Sequence, residues 1–312
     1  MVAVTLKERL PGSVRYWLDI LASAAGNWLQ SHAFIYAGAL AFFTLFSMAP
    51  IVIIAVTIVG WFLGEGAARD RIAAQIEEAM GPEAREAIFN AVEQAELDQT
   101  GILPTVIGVV VMAVGATTVF AQMQAGLNQI WDVVPRPSRS SLWILIKSRL
   151  LSLTIVLVVG FVLLVSLLLS VALRGIMAFA EQWLPVPGFA IVAFEISLSL
   201  AVVTVLFAAM FKVLPDVVLG WRDVLAGAFV TALLFTLGRS LIAMYLAYTA
   251  TASTYGAAGS LVLVLLWVNY SSLILLFGAA FTRAHLEARG KPRIPRNTAI
   301  CVRTQMLEEP AA

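Results

Sequence analysis

The chain has 312 residues, of which 61% are hydrophobic and only 12% are charged. A soluble domain carries about 25% charged residues, so this composition excludes an ordinary soluble protein and predicts a polytopic membrane protein. The net charge of +1 excludes a global signature for binding polyanions, and the single cysteine, Cys301, excludes an intramolecular disulfide. We expect no cleavable signal peptide, because the first apolar span begins only near Ile35.

Residues 1–34 predict a cytoplasmic lead-in that ends in an amphipathic helix from Ser13 to Gln30. The apolar face of this helix carries two tryptophans, Trp17 and Trp28, and its opposite face is polar. Two interpretations stay open. The helix lies at the membrane surface, where tryptophan is favoured, or it packs on the bundle as a soluble amphipathic helix does.

Six apolar stretches are each long enough to cross a hydrocarbon core of about 30 Å. They predict an all-α fold, a polytopic bundle of six transmembrane helices over residues 35–282. The predicted spans cover residues 35–63, 102–122, 150–173, 189–211, 224–248 and 259–281.

Two of these spans carry local signals of their own. Pro50 lies mid-span and removes one backbone hydrogen bond, which predicts a kink in the first helix. Gly108 and Gly115 lie seven residues apart in the second span, a spacing that favours close packing of another helix on that face.

The only sizeable polar insertion covers residues 65–101. Its pattern predicts two short helices that are separated at Gly81 and Pro82, a stop followed by a start. The insertion holds nine acidic and three basic residues. It is interpreted either as a solvated acidic surface or as a surface that attracts cations toward a pore mouth.

The distribution of basic residues predicts the orientation. With six spans, the segments between them alternate between the two sides of the membrane. Fifteen Lys and Arg residues lie on the side that holds both termini, and four lie in the loops on the other side. Because cytoplasmic loops carry the excess of Lys and Arg, both termini are predicted to be cytoplasmic and the acidic insertion external. The basic residues 283–312 are predicted to form a disordered tail at the anionic inner leaflet.

The fifth span contains one cation far from either end, Arg239. A charge at this depth costs about 2.5–3.5 kcal/mol, so it must face protein or water. In the same span Ala228, Ala232 and Thr236 recur every four residues and predict a strip that lets another helix approach closely.

Glu195 is the only acidic residue inside another apolar span, and its predicted depth matches that of Arg239. A buried ion pair between them is therefore predicted. Such a pair fixes helix register or serves a substrate or ion pathway; alternatively, Arg239 reaches outward and Glu195 is protonated. Asn269, near the centre of the sixth span, is a third candidate residue of such a pathway.

The sequence predicts no catalytic, metal or cofactor site. A metal-dependent nuclease needs several ligands that converge, whereas the histidines His32 and His285 and the cytoplasmic aspartates Asp132, Asp216 and Asp223 occur singly. No aromatic platform accompanies the basic tail, so no nucleic-acid partner is expected.

Four segments of the chain resemble the YihY/BrkB family of bacterial inner-membrane proteins, formerly labelled ribonuclease BN. The resemblance implies a six-helix inner-membrane protein with cytoplasmic ends, and it supplies no active-site motif. One departure is Asn269, where an apolar residue is expected. The segments are ALAFFTLFSMAP, ATTVFAQMQAGLNQIWDV, LPDVVLGWRDVLAGAFVTALLFTLGRSLIAMYLA and TYGAAGSLVLVLLWVNYSSLILLFGAAFTRA.

The sequence is compatible with three functions. The first is non-enzymatic transport or permeation of a small solute, an ion or a lipid, favoured by the kinked first span and the polar residues inside the spans. The second is an envelope scaffold or virulence-associated membrane protein, favoured by the N-terminal helix and the acidic insertion. The third, disfavoured by the missing catalytic residues, is tRNA processing of the ribonuclease BN type. The oligomeric state is left open.

Overall fold

A computed structural model describes residues 12–97, 118–136, 188–248 and 257–302 of the chain. It is a bundle of long helices with one small two-stranded sheet. In chain order the elements are α1 (Gly12–Gln30), α2 (Ala33–Leu63), α3 (Glu65–Met80), α4 (Pro82–Leu97), α5 (residues 118–130), β1 (Val133–Pro135), α6 (Gly188–Val213), α7 (Trp221–Tyr248), α8 (Ala257–Ala288) and β2 (Ala299–Cys301).

Residues with positive φ separate the first four helices. His32, with φ 54°, lies between α1 and α2, whose first part is bent by 63° from α1. Gly64, with φ 84°, joins α2 to α3, and glycine adopts this backbone conformation without strain. Gly81, with φ 92°, ends α3, and Pro82 opens α4, where its missing N–H costs nothing. The polar insertion is therefore two helices, as the Gly81–Pro82 pair predicts.

Three described helices, α6, α7 and α8, contain windows long and apolar enough to cross a bilayer. The bent pair of α1 and the first part of α2 counts as a fourth candidate. The chain is thus a helical membrane protein. The predicted span 150–173 and most of span 102–122 lie outside the described residues, so the number of six spans stays a prediction.

The main hydrophobic core lies where α5, α6, α7 and α8 meet. Trp131, Phe211 and Leu276 are fully buried there. A second cluster joins the apolar faces of α3 and α4 to α2 and α8, with Ile88 of α4 and Val264 of α8 among its members. The α3–α4 pair therefore packs its apolar sides on the bundle, and the acidic side chains that the structure describes there, among them Glu77, Glu86 and Glu93, are exposed.

The segment after the last span is ordered. α8 continues to Ala288, seven residues beyond the predicted end, and β2 pairs antiparallel with β1, with Ile300 opposite Val134. The prediction of a disordered tail over residues 283–312 is therefore wrong for residues 283–302, and the all-α class omits this short sheet. The physical reason is long-range pairing, because acidic side chains and backbone carbonyls elsewhere in the chain hold the arginines of this segment.

Candidate functional site

A polar network joins three segments at one end of the bundle. They are the end of α5 with its following turn, the loop between α6 and α7, and the segment from the end of α8 to β2. We term this set the basal network. Its members are Gln124, Asn128, Asp132, Asp216, Asp223, Arg283, Glu287, Arg289, Lys291, Arg293 and Arg296.

Amide side chains of α5 hold the α6–α7 loop. Gln124 and Asn128 lie four residues apart and therefore on one helix face. The Nδ2 group of Asn128 donates to Asp216 Oδ2 at 2.8 Å, and its Oδ1 accepts from the backbone N–H of Asp216 at 2.8 Å. Gln124 Nε2 donates to the same carboxylate at 3.1 Å. Since Asn128 is buried, these bonds replace its water and fix the loop against α5.

Arg283, near the end of α8, is the buried cation of the network, with 8% of its surface exposed. Its Nη2 lies 2.6 Å from Asp132 Oδ2, its Nε lies 3.0 Å from Glu287 Oε1, and its Nη1 donates to the Ile130 carbonyl. Arg293 also approaches Asp132, at 3.0 Å. Two carboxylates and a carbonyl thus satisfy a guanidinium that would otherwise be costly to bury.

The segment after α8 runs along the α6–α7 loop. The backbone N–H of Arg296 donates to the Asp216 carbonyl at 2.9 Å, and that of Val218 donates to the Ile294 carbonyl at 2.8 Å. Arg296 Nη2 also donates to the Lys212 carbonyl at the end of α6, at 2.9 Å. The C-terminal segment therefore ties together helices that are distant in sequence.

Asp223, in the first turn of α7, completes the network. Its carboxylate pairs with Lys291 and with Arg289, whose Nη1 lies 3.5 Å away. A carboxylate at a helix N-terminus is also favoured by the helix dipole. All three aspartates that appear singly in the sequence therefore have partners from distant segments.

The candidate residues inside the spans lie on neighbouring helices. Glu195 is 18 residues before the end of α6 at Val213, and Arg239 is 18 residues after the start of α7 at Trp221, about 27 Å along each helix. α6 and α7 pack along each other and are joined by a short loop. The two backbone positions are thus at one level. Direct contact between the side chains stays a prediction, because the side chain of Glu195 lies outside the described residues.

Asn269 lies at a similar level of the neighbouring helix α8. It is half-buried, and the hydroxyl of the next residue, Tyr270, packs so closely on Gly238 that a Cβ at Gly238 would overlap it. Gly238 directly precedes Arg239, which is also half-buried. The structure therefore brings the neighbourhoods of Asn269 and Arg239 together.

The closest approach of α7 and α8 is a reciprocal arrangement of glycine and threonine. Thr282 of α8 lies on Gly227 of α7, and Thr231 of α7 lies on Gly278 of α8. Each threonine hydroxyl donates to a carbonyl four residues earlier in its own helix, Thr231 to Gly227 at 2.6 Å and Thr282 to Gly278 at 2.7 Å. The hydroxyls are thus satisfied, and the two backbones approach closely.

The strip of small residues predicted on α7 lies one residue away from this contact. Ala228 and Ala232 have no exposed surface and belong to the main core. Thr236 is half-buried and donates to the Ala232 carbonyl at 2.8 Å.

The structure does not test the predicted kink at Pro50 or the predicted close packing at Gly108 and Gly115. α2 is helical through Pro50, whose side chain lies outside the described residues, so the kink stays a prediction. Gly108 and Gly115 also lie outside the described residues.

The sequence interpretation missed the basal network. A usable signal was the four-residue spacing of Gln124 and Asn128, which places two amide groups on one face of the helix that ends just before Asp132. Most partners on the tail follow the end of α8 at Ala288, where a spacing of four residues does not place side chains on one helix face. In the described part of the chain, no group of three or more His, Cys, Asp or Glu residues is placed to share a metal ion.

Comparison with known proteins shows the family. The family model Virulence factor BrkB matches residues 24–299. UPF0761 membrane proteins are similar to the chain: that of Nitrosospira multiformis is 28% identical over 264 residues, 84% of this chain and 59% of the relative. The relative from Rhodospirillum centenum is 26% identical, over 90% of this chain and 61% of the relative. The relative from Mannheimia succiniciproducens is 25% identical, over 79% of this chain and 82% of the relative.

The chain spans about three-fifths of the length of the Nitrosospira and Rhodospirillum relatives. No solved structure matches it. The names of these relatives state a membrane location and no activity. Because the family match covers most of the chain, the protein belongs to the BrkB family of integral membrane proteins.

Proposed function

We propose that this protein is a six-span protein of the bacterial inner membrane, with cytoplasmic termini, that transports a small solute, an ion or a lipid or lets it permeate. The proposal involves no enzymatic step, cofactor or nucleic-acid partner. The observation that carries it is the common level of Glu195 and Arg239 on two packed apolar helices, with Asn269 on the third helix nearby. Ionisable residues inside membrane helices mark ion and substrate pathways more often than lipid-facing surfaces.

The basal network supports the proposed orientation. It joins the segment after α5, the α6–α7 loop and the segment after α8, and α1 packs on the end of α8. These are the segments with the excess of Lys and Arg, which favours the cytoplasm for this end of the bundle. The α3–α4 pair, with its excess of acidic residues, follows the far end of α2 and contacts the first half of α8.

The orientation predicts the outcome of reporter fusions. Fusions after Asp132 and after Arg289 are expected to give a cytoplasmic signal, and a fusion near Asn90 an external signal, because the excess of Lys and Arg keeps the first two sites inside. Paired green fluorescent protein and alkaline phosphatase reporters measure this. A cytoplasmic signal at Asn90 would contradict the proposed orientation.

Transport is tested with purified protein in vesicles. Light scattering measures the flux of potassium chloride and of glycerol. Dithionite reduction measures the transfer of a fluorescent phosphatidylethanolamine between the two leaflets. We expect wild-type protein to exceed protein-free vesicles for at least one probe. The Glu195→Leu/Arg239→Leu double variant is expected to fold and to lose that flux, whereas each single variant loses folded yield because one charge inside an apolar span is left unpaired.

A matched control is Gly38→Ala, since a Cβ at Gly38 meets no atom of another described element within 4 Å. It is expected to keep the wild-type flux. Flux that survives in the folded double variant would assign Glu195 and Arg239 to helix register instead of a pathway. Absence of flux for all three probes would favour the second candidate function, an envelope scaffold. The exposed acidic face of α3 and α4 supports that function.

A further inference from the structure

α1 packs on the described bundle mainly through one of its three faces. Ile20 and Ala24, four residues apart, are 2% and 0% exposed and pack on Phe281 and Ala284 of α8. This contact holds α1 against the last turns of α8. Residues 25–28 of α1 are half-buried as well, and the rest of its surface is exposed.

The other two faces differ in chemistry. At about 100° per residue, one exposed face is apolar and the other is polar, and each is centred roughly 120° from the packed face. The apolar face is continuous over the whole helix, which is unusual for a surface in contact with water. Its large members are Val14, Leu18, Leu21 and Leu29, which are 42%, 40%, 41% and 60% exposed. The polar face carries Arg15, Asp19, Ser23 and Gln30.

The position of α1 matches the boundary of the apolar bundle. Its Trp17 stacks on His285 of α8 with ring centroids 5.7 Å apart, at the level where Arg283 begins the charged end of that helix. After the 63° bend, α2 begins with two exposed apolar residues, Phe34 and Ile35, which are 56% and 70% exposed. The exposed apolar face of α1 is therefore followed along the chain by exposed apolar residues at the start of α2.

We propose that α1 lies in the interfacial layer of the bilayer and inserts its exposed apolar face between lipid headgroups and acyl chains. The polar face then meets water, and the packed face stays on α8. Such a helix suits the interface because its apolar side is buried by lipid and its aromatic residues are favoured at that depth. A bilayer is preferred to a protein partner as the occupant because the exposed apolar start of α2, part of a candidate membrane span, follows this face directly.

Site-directed spin labelling of the full chain in phosphatidylethanolamine–phosphatidylglycerol vesicles tests the proposal. The only cysteine is exposed and is first removed by Cys301→Ser. Nitroxides are then attached in Leu18→Cys and Leu21→Cys variants, with Arg15→Cys and Ser23→Cys as controls on the polar face. We expect the ratio of collisions with oxygen to collisions with a water-soluble nickel chelate to be several-fold higher at positions 18 and 21 than at the controls.

Three other outcomes would overturn the proposal. Equal ratios on both faces would place the apolar face in water. Low collision rates with both reagents and dipolar broadening between labels would show a second copy of the chain on this face. Low collision rates without broadening would show cover by another segment of the same chain.

Discussion

Replacement of Arg283 by leucine is expected to lower the free energy of unfolding by about 3 kcal/mol. Removing one member of a buried ion pair typically costs 3–5 kcal/mol, and the lower end applies because the side chains of Asp132 and Glu287 are each 38% exposed. The substitution also removes the donor to the Ile130 carbonyl. In detergent micelles the apparent melting temperature should fall by roughly 6–12 °C.

Arg289→Leu is the matched control. Arg289 also pairs with an aspartate of the basal network, but its side chain is 40% exposed and the pair with Asp223 is 3.5 Å long. A surface pair of this kind contributes at most about 1 kcal/mol, so the melting temperature should change little. Equal losses in the two variants would show that the burial of Arg283 does not determine the stability of this end of the bundle.

Local signals in the sequence predicted the helices well. The span expected at residues 189–211 is α6, Gly188–Val213, and the break at Gly81 and Pro82 separates α3 from α4. Apolar length, glycine and proline act within a few residues, so a single sequence contains this information. The ordered segment after α8 was not predictable in this way, because its contacts are long-range: Arg293 binds Asp132 across 161 residues.

The sequence also did not predict which face of α7 packs on α8. The spacing of Ala228 and Ala232 identified a packed side of α7, and both residues are fully buried. Yet the closest approach to α8 uses Gly227 and Thr231, one residue earlier in each case. Both strips are small and recur every four residues, so the sequence does not tell which neighbouring helix each strip contacts. That choice depends on the partner residues of α8, Gly278 and Thr282.

Gly227→Ala is expected to lower the free energy of unfolding by about 1–3 kcal/mol, the usual cost of inserting a methyl group into a close-packed core. A Cβ at this position would overlap Thr282 Oγ1 and would lie 2.9 Å from Thr282 Cβ and 3.2 Å from the Gly278 carbonyl oxygen. Because one of these contacts is backbone, rotation of a side chain does not relieve the overlap, and α7 must move away from α8. The apparent melting temperature measures the loss.

The sign of this effect is diagnostic, since alanine favours an isolated helix over glycine by about 0.8–1 kcal/mol. Gly38→Ala, at an open position of α2, should therefore be neutral or slightly stabilising. Combining Gly227→Ala with Thr282→Gly should recover part of the loss, because the space taken on one helix is released on the other, and contacting residues are expected to couple. If the losses of the two single variants simply add, or if Gly227→Ala behaves like Gly38→Ala, then α7 and α8 do not pack through this glycine–threonine contact.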